Sequence, residues 1–238
     1  DPDQQFFHNP NSSKYYTTNQ FNVAIDNNSS FSLMHHNIRS LNKNLPSLTD
    51  LLSVINLDFD IIALSETWLQ NNQNFQPIEN YCSVHNCRSD KSGGGVALLL
   101  KNEINFKIRK NLGINNYNIM ETIFVELLNA NESNIIIGTI YRSPNADMDQ
   151  FISKLDELLT KISKEQKTCY LLGDFNLDLL KYQKHNYTND FLDTMFSHCF
   201  IPLINRPTRI TSHTATLIDN IFVNNPSDIQ QLTNGILF

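Results

Sequence analysis

Several strand-length apolar runs in this chain end in residues suited to phosphoryl chemistry. Residues 31–34 lead into His35-His36-Asn37-Ile38-Arg39-Ser40-Leu41, and residues 60–64 lead into Ser65-Glu66-Thr67-Trp68. Residues 135–140 end in Tyr141-Arg142-Ser143-Pro144, and residues 170–172 end in Gly173-Asp174-Phe175-Asn176. A carboxylate and a carboxamide are oxygen ligands suited to Mg2+, which keeps several waters and uses one or two protein carboxylates beside a substrate phosphate. Hydrolysis of a phosphodiester also needs an in-line water, a base near it, and donors for the equatorial and leaving oxygens. Asp174 and Asn176 divide that labour: the acid can orient water, while the amide can donate to a dianionic transition state that a second carboxylate would repel. Each residue alone has an ordinary reading, Asp174 as a turn former, Glu66 as a first-turn helix acid and Asn37 as an Asx-turn. Their recurrence at successive strand ends favours one shared site.

The elements that must position these residues are legible in the hydrophobic pattern. Short, often β-branched runs at 31–34, 60–64, 96–100, 123–128, 135–141, 169–172 and 217–223 read as strands. Helical spacing marks 46–55, with Pro46 at the first position, then 148–162 and, less cleanly, 189–200. Several consecutive strands lack an intervening helix, which excludes a doubly wound parallel sheet and predicts a mixed sandwich of sheets flanked by helices. Residues 1–29 are polar with no apolar period and are expected to be a flexible lead-in to a domain over 30–238.

Composition narrows the function classes. The chain has 238 residues, 40% of them hydrophobic, and a formal net charge of −6, so its grip on any nucleic acid must be local rather than a general basic surface. No run approaches the roughly 20 apolar residues of a membrane span, and no membrane partner is expected. The four cysteines fall in no CxxC pair, so neither a zinc site nor a disulfide framework is predicted. Gly93-Gly94-Gly95 lacks the Lys-Ser/Thr of a phosphate loop and reads as a tight entry to the Val96 strand. Arg39 and Arg142 are candidates for steering phosphates, with surface ion pairing as the alternative. Trp68 is read as a core residue, with base stacking as the alternative.

The ordered set His-Asn-Ile-Arg-Ser-Leu, Leu-Ser-Glu-Thr-Trp-Leu, Gly-Gly-Gly-Val-Ala, Tyr-Arg-Ser-Pro and Gly-Asp-Phe-Asn, then Arg206-Pro207-Thr208-Arg209 and Thr216-Leu217-Ile218-Asp219-Asn220-Ile221-Phe222, resembles a known family. It is similar to the endonuclease/exonuclease/phosphatase-type nuclease domain of non-LTR retrotransposons of the jockey and CR1 groups, relatives of apurinic/apyrimidinic endonucleases. The resemblance implies an α/β fold, a four-layer α/β sandwich of two mixed sheets flanked by helices. It implies Mg2+ as cofactor, with Mn2+ as the alternative, held by Glu66 and Asn37. Tyr141 would touch the scissile phosphate, Asp174 would orient or deprotonate the attacking water, and Asn176 would donate to phosphoryl oxygens. Thr208 would contact the DNA backbone beside Arg209, and Asp219 would orient a catalytic histidine. The segment from Arg209 to Ala215 resembles the loop that enters DNA in this family.

The implied activity is nicking of a duplex DNA target, in the nucleus or from a cytoplasmic ribonucleoprotein, with a reverse transcriptase domain in the same polyprotein. The rival readings are a phosphatase or phosphodiesterase acting on other phosphoesters, and a non-catalytic nucleic-acid-binding relic. The family's Ser-Asp-His motif has no counterpart here, since no Asp-His pair occurs in the chain. The domain is therefore expected to be truncated, to lack its C-terminal strand, and to leave Asp219 without a histidine partner.

Overall fold

The computed structural model describes residues 13–25, 31–70, 78–88, 93–129, 133–225 and 235–237. In chain order its elements begin with β1 (Lys14–Tyr16), α1 (Thr18–Ala24), β2 (Leu33–Asn37), α2 (Leu41–Val54), β3 (Ile61–Ser65), β4 (Tyr81–Asn86) and β5 (Val96–Lys101). There follow β6 (Phe106–Ile108), β7 (Asn115–Asn116), β8 (Met120–Leu127), β9 (Ile135–Arg142), α3 (Met148–Ser163), β10 (Cys169–Asp174) and α4 (Asn186–Ser197). The last are β11 (Ile201–Pro202), β12 (Arg209–Ile210), β13 (Ala215–Thr216), β14 (Asp219–Val223) and β15 (Gly235–Leu237).

Alternation along the strands sorts their side chains into layers. A four-stranded sheet, β2-β3-β5-β4, faces a seven-stranded sheet ordered β11-β14-β10-β9-β8-β6 with β7 on β8. Between them lie Ile61, Ala63, Leu98, Val125, Ile137, Leu172 and Val223. The alternate residues Ile62, Leu64, Ala97 and Leu99 turn outward onto Leu41, Leu48 and Ile55 of the α2 segment. On the far side Phe124, Ile140, Leu171 and Phe222 pack on Phe151, Leu155, Phe191 and Met195 of α3 and α4. Burying each of these large apolar side chains is worth about 1.5–3 kcal/mol. The result is the expected four-layer α/β sandwich. Both sheets are mixed: β2 runs parallel to β3 and β9 to β10, and the other pairs in them are antiparallel.

Two boundaries differ from the sequence reading. Part of the supposed flexible lead-in is ordered: Thr17 and Gln20 form a reciprocal capping box that starts α1, and Phe21 stacks on Phe59. Its β1 pairs in parallel with β15, outside both main sheets; residues 1–12 and 26–30 lie outside the described residues. Helix α2 begins at Leu41 rather than Pro46. The Asn44 amide donates to the carbonyls of Ile38 and Arg39, anchoring a turn ahead of Pro46.

Glu126, on the helix side of β8, binds this end of the sheet together. Its carboxylate accepts hydrogen bonds from Arg109 at 2.6 Å, Lys167 at 2.9 Å and Asn134 at 2.8 Å, with Lys107 at 3.2 Å. Burial pushes its pKa up, but the bonds from Lys167, Asn134, Lys107 and Arg109 outweigh this and bring it to about 2. A carboxylate depressed on folding contributes stability that is present above its unfolded pKa and is lost as pH falls toward 2. Glu126→Gln is therefore expected to be destabilised by about 2–4 kcal/mol at pH 7, with the gap from the parent chain closing between pH 5 and 2 as urea midpoints are compared; a pH-independent gap would contradict the assignment.

Candidate active site

Strand register makes the site. Asp174, the last residue of β10, is paired with Tyr141 on one side and Asp219 on the other, and Tyr141 is paired in turn with Glu121. Directly paired residues share a face, so Glu121, Tyr141, Asp174 and Asp219 form one row across β8, β9, β10 and β14. Tyr141 packs into the inter-sheet core, so the row faces the four-stranded sheet. From that sheet come Asn37, at the end of β2 and paired with Ser65, and Glu66, the residue after β3.

Asn37 joins the two sheets. Its Nδ2 donates to Glu66 Oε1 at 3.0 Å and to Asp174 Oδ2 at 2.7 Å. An amide oxygen facing those carboxylates would be repelled, which fixes the amide's orientation. The other Asp174 oxygen accepts from the Asn176 backbone N–H at 2.9 Å. Glu66 is held at φ 53, and its carbonyl accepts from Ser40 N–H at 2.8 Å, so the loops after β2 and β3 brace each other. Burial raises the pKa of Asp174 above the ordinary carboxylate range, opposed by its bonds to Asn176 and Asn37, and Glu66 adds to the rise. Burial also raises Asp219, with Asp174 next in effect. Tyr141 is raised by burial and by Glu66 and Asp174, which keeps its phenol protonated as a donor.

These residues fit a bound divalent cation. Asn37 Oδ1 and Asp219 Oδ1 are buried without a hydrogen-bond partner among the described residues, Glu66 disfavours the charge of Asp174, and Asp174 and Glu66 disfavour that of Asp219. No group of three or more His, Cys, Asp or Glu side chains forms a closed cage among the described residues. Glu66 with Asn37 instead offers an open oxygen site, the arrangement Mg2+ uses while keeping its water.

Three expectations are corrected. Arg142 does not steer phosphates: strand alternation turns it away from Tyr141 to the helix side, where it is buried over Phe151. Its guanidinium donates to the carbonyls of Phe175 at 2.6 Å and Asn176 at 2.8 Å, and its own carbonyl accepts from Asn176 Nδ2 at 2.8 Å. It is a positioning residue for the loop after Asp174. Arg142→Ala would strand two carbonyls and is expected to cost about 2–4 kcal/mol and to slow any turnover that uses Asp174; unchanged urea stability would refute the clamp. Thr208 is also turned inward, its hydroxyl donating to Asp219 Oδ2 at 2.9 Å and accepting from the Asp219 N–H at 3.2 Å, so it positions Asp219. Lastly, Asp219 has a histidine beside it: His35 Nδ1 lies 3.8 Å from its Oδ1, with His35 Nε2 3.2 Å from Ser65 Oγ. His35 shares the inward face of β2 with Asn37, two positions on, a signal the period of a strand carries. Burial lowers its pKa to about 3, so it meets Asp219 as a neutral ring.

Arg39 is exposed at φ 45 in the loop beside Asn37. Arg209 is exposed in the hairpin of β12 and β13, paired across from Thr216, and its charge lowers the pKa of Asp219.

Carboxylates and carboxamides gathered at one end of two facing sheets suit the hydrolysis of phosphoester bonds. The sequence profile of the Endonuclease/Exonuclease/phosphatase family matches residues 34–230, and the chain belongs to that family. Among solved structures it is similar to the AP endonuclease LMAP of Leishmania major, with TM-score 0.67, 12% identity, and 93% of this chain and 86% of that one covered. It is similar to the endonuclease domain of TRAS1, a telomere-specific non-LTR retrotransposon, with TM-score 0.61, 11% identity and coverage of 81% and 83%. The catalytic domain of Xenopus laevis APE2 gives TM-score 0.60, 17% identity and 84% of each chain. These likenesses establish the shared fold. No curated protein sequence matches the chain.

Proposed function

We propose that the chain is a Mg2+-dependent DNA endonuclease that nicks a duplex target, the nuclease segment of a retrotransposon polyprotein that also carries a reverse transcriptase and acts in the nucleus. The observation that supports it most is the Asn37 amide bridging Glu66 and Asp174 across the two sheets. Glu66 and Asn37 would hold the cation, Mg2+ or Mn2+ in its place, which when bound supplies positive charge for the phosphate and the leaving oxygen.

The chain's own residues account for the rest. Asp174, fixed at both oxygens, orients a water in line with the scissile bond and takes its proton as the new P–O bond forms. Tyr141 donates its phenolic proton as a hydrogen bond to a phosphoryl oxygen. Asn176 keeps one amide hydrogen on Arg142 and has another for the developing charge. The P–O3′ bond breaks, and the departing O3′ takes a proton from solvent, leaving a 3′ hydroxyl and a 5′ phosphate. Arg39 and Arg209, both exposed, flank the path of the strand. The likeness to the TRAS1 endonuclease domain and the motif set of Gly173-Asp174-Phe175-Asn176 with Tyr141-Arg142-Ser143-Pro144 support DNA as substrate.

Supercoiled plasmid incubated with the chain and Mg2+ should yield open circles whose nicks a DNA polymerase extends without prior phosphatase treatment. Hydrolysis of a small phosphomonoester with no plasmid nicking would overturn DNA cleavage in favour of a phosphatase.

A further inference from the structure

We propose that Trp68 and Tyr117, braced by the buried Arg88, form a stacking rim beside the active site for an unpaired nucleobase of the strand being cut; the location rests on the phosphodiesterase reading of Glu66 and Asp174. Trp68 is the sole tryptophan and, against the expectation of a core residue, is 40% exposed. Its exposure is imposed by the backbone. Thr67 and Leu69 on either side are buried, Trp68 is held at φ 55, and its N–H donates to the Gly94 carbonyl at 2.9 Å. A bulky residue in the left-handed region carries strain, and here that strain turns a large aromatic face to solvent two residues beyond Glu66.

The rim continues from Trp68 through contacts. Gln70 is bridged in parallel to Arg88. The Arg88 guanidinium lies so close to Gly94 that a Cβ there would come within 2.0 Å of Nη2. Its carbon sits 5.7 Å from the centre of the Tyr117 ring, and Tyr117 is also 40% exposed. Beyond it lies a depression of about 430 Å3 lined by Tyr117, Asn118, Ser143, Asn145 and Asp147, next to the end of the strand that carries Tyr141.

Charge decides what this surface accepts. Arg88 is neutralised by Glu121, which takes Nε at 2.9 Å and Nη2 at 2.6 Å, and Asp147 adds a negative charge. A phosphate gains little there. A neutral heterocycle gains ring faces from Trp68 and Tyr117 and hydrogen-bonding edges from Asn118, Asn145 and Ser143. A base stacked inside a duplex has no free face to offer, so the occupant is a base already unpaired in the nucleic acid.

The lone tryptophan reports its own contact. In EDTA, where no cleavage competes, Trp emission is followed while a ten-nucleotide single strand of dT is added, then an abasic strand of equal length, then a blunt duplex. Saturable quenching by the dT strand alone is the expected result. Trp68→Ala should weaken anisotropy-measured binding of labelled strand about tenfold, and Trp68→Phe should retain it within about twofold, because a ring face persists. Equal quenching by the abasic strand or the duplex would overturn the proposal, as would parent-like binding by folded Trp68→Ala. The two readings fail separately: a chain that quenches but does not nick retains the rim and loses the catalytic assignment.

Discussion

Asp174→Asn is expected to lower the rate of DNA nicking by about 10³-fold, within the span seen for loss of a positioned acid or base, while leaving the fold intact. The substitution keeps an oxygen for the Asn176 N–H but replaces the other with an NH2 that meets the Asn37 amide, donor against donor. The water loses its base and the bridge between the sheets loses one of its two bonds. Stability should move in the opposite direction. Burial penalises the charges of Asp174 and Asp219, Glu66 adds to the penalty on both, and removing the charge of Asp174 is expected to add about 1 kcal/mol. Nicking rates and urea midpoints taken on the same preparation separate the two effects; a variant that is both inactive and unfolded would point to a structural role alone.

Glu66→Gln carries the second large effect. On the proposed cation site, Mg2+ is expected to bind the folded parent chain and to stabilise it by RT ln(1 + [Mg2+]/Kd), about 2.7 kcal/mol at one hundred times Kd, which a rise in melting temperature would report. Glutamine keeps the size and can still meet the Asn37 amide, but it removes the formal charge that draws a hard cation. The Mg2+-dependent shift in a thermal melt should largely vanish, together with about 10²-fold or more of nicking activity. A full Mg2+ shift in Glu66→Gln would move the cation site elsewhere.

The sequence made the chemistry legible at strand ends because apolar runs and polar terminations are local properties. Asn37, Glu66, Tyr141, Asp174 and Asp219 converge at one place, and the sandwich that carries them could be read from strand and helix periods. Register could not be read in this way. That Asp174 stands between Tyr141 and Asp219 depends on pairing among β9, β10 and β14, which no local pattern specifies. Arg142 and His35 were legible in principle. Alternation puts Arg142 opposite to Tyr141 and His35 on the side of Asn37, and proximity to a motif in sequence obscured both. Trp68 escaped because its direction depends on the sign of φ, and apolar character after a strand points equally to core and rim.

The central claim is that Glu66, Asn37 and Asp174 form a cation-dependent phosphodiesterase. Its most direct test is the Mg2+ titration of supercoiled plasmid nicking by the parent chain, Glu66→Gln and Asp174→Asn side by side. Open circles should accumulate with the parent as Mg2+ rises, stay absent in EDTA, and fall to background with both variants. Nicking that is indifferent to Mg2+, or equal in the parent and Asp174→Asn, would contradict it.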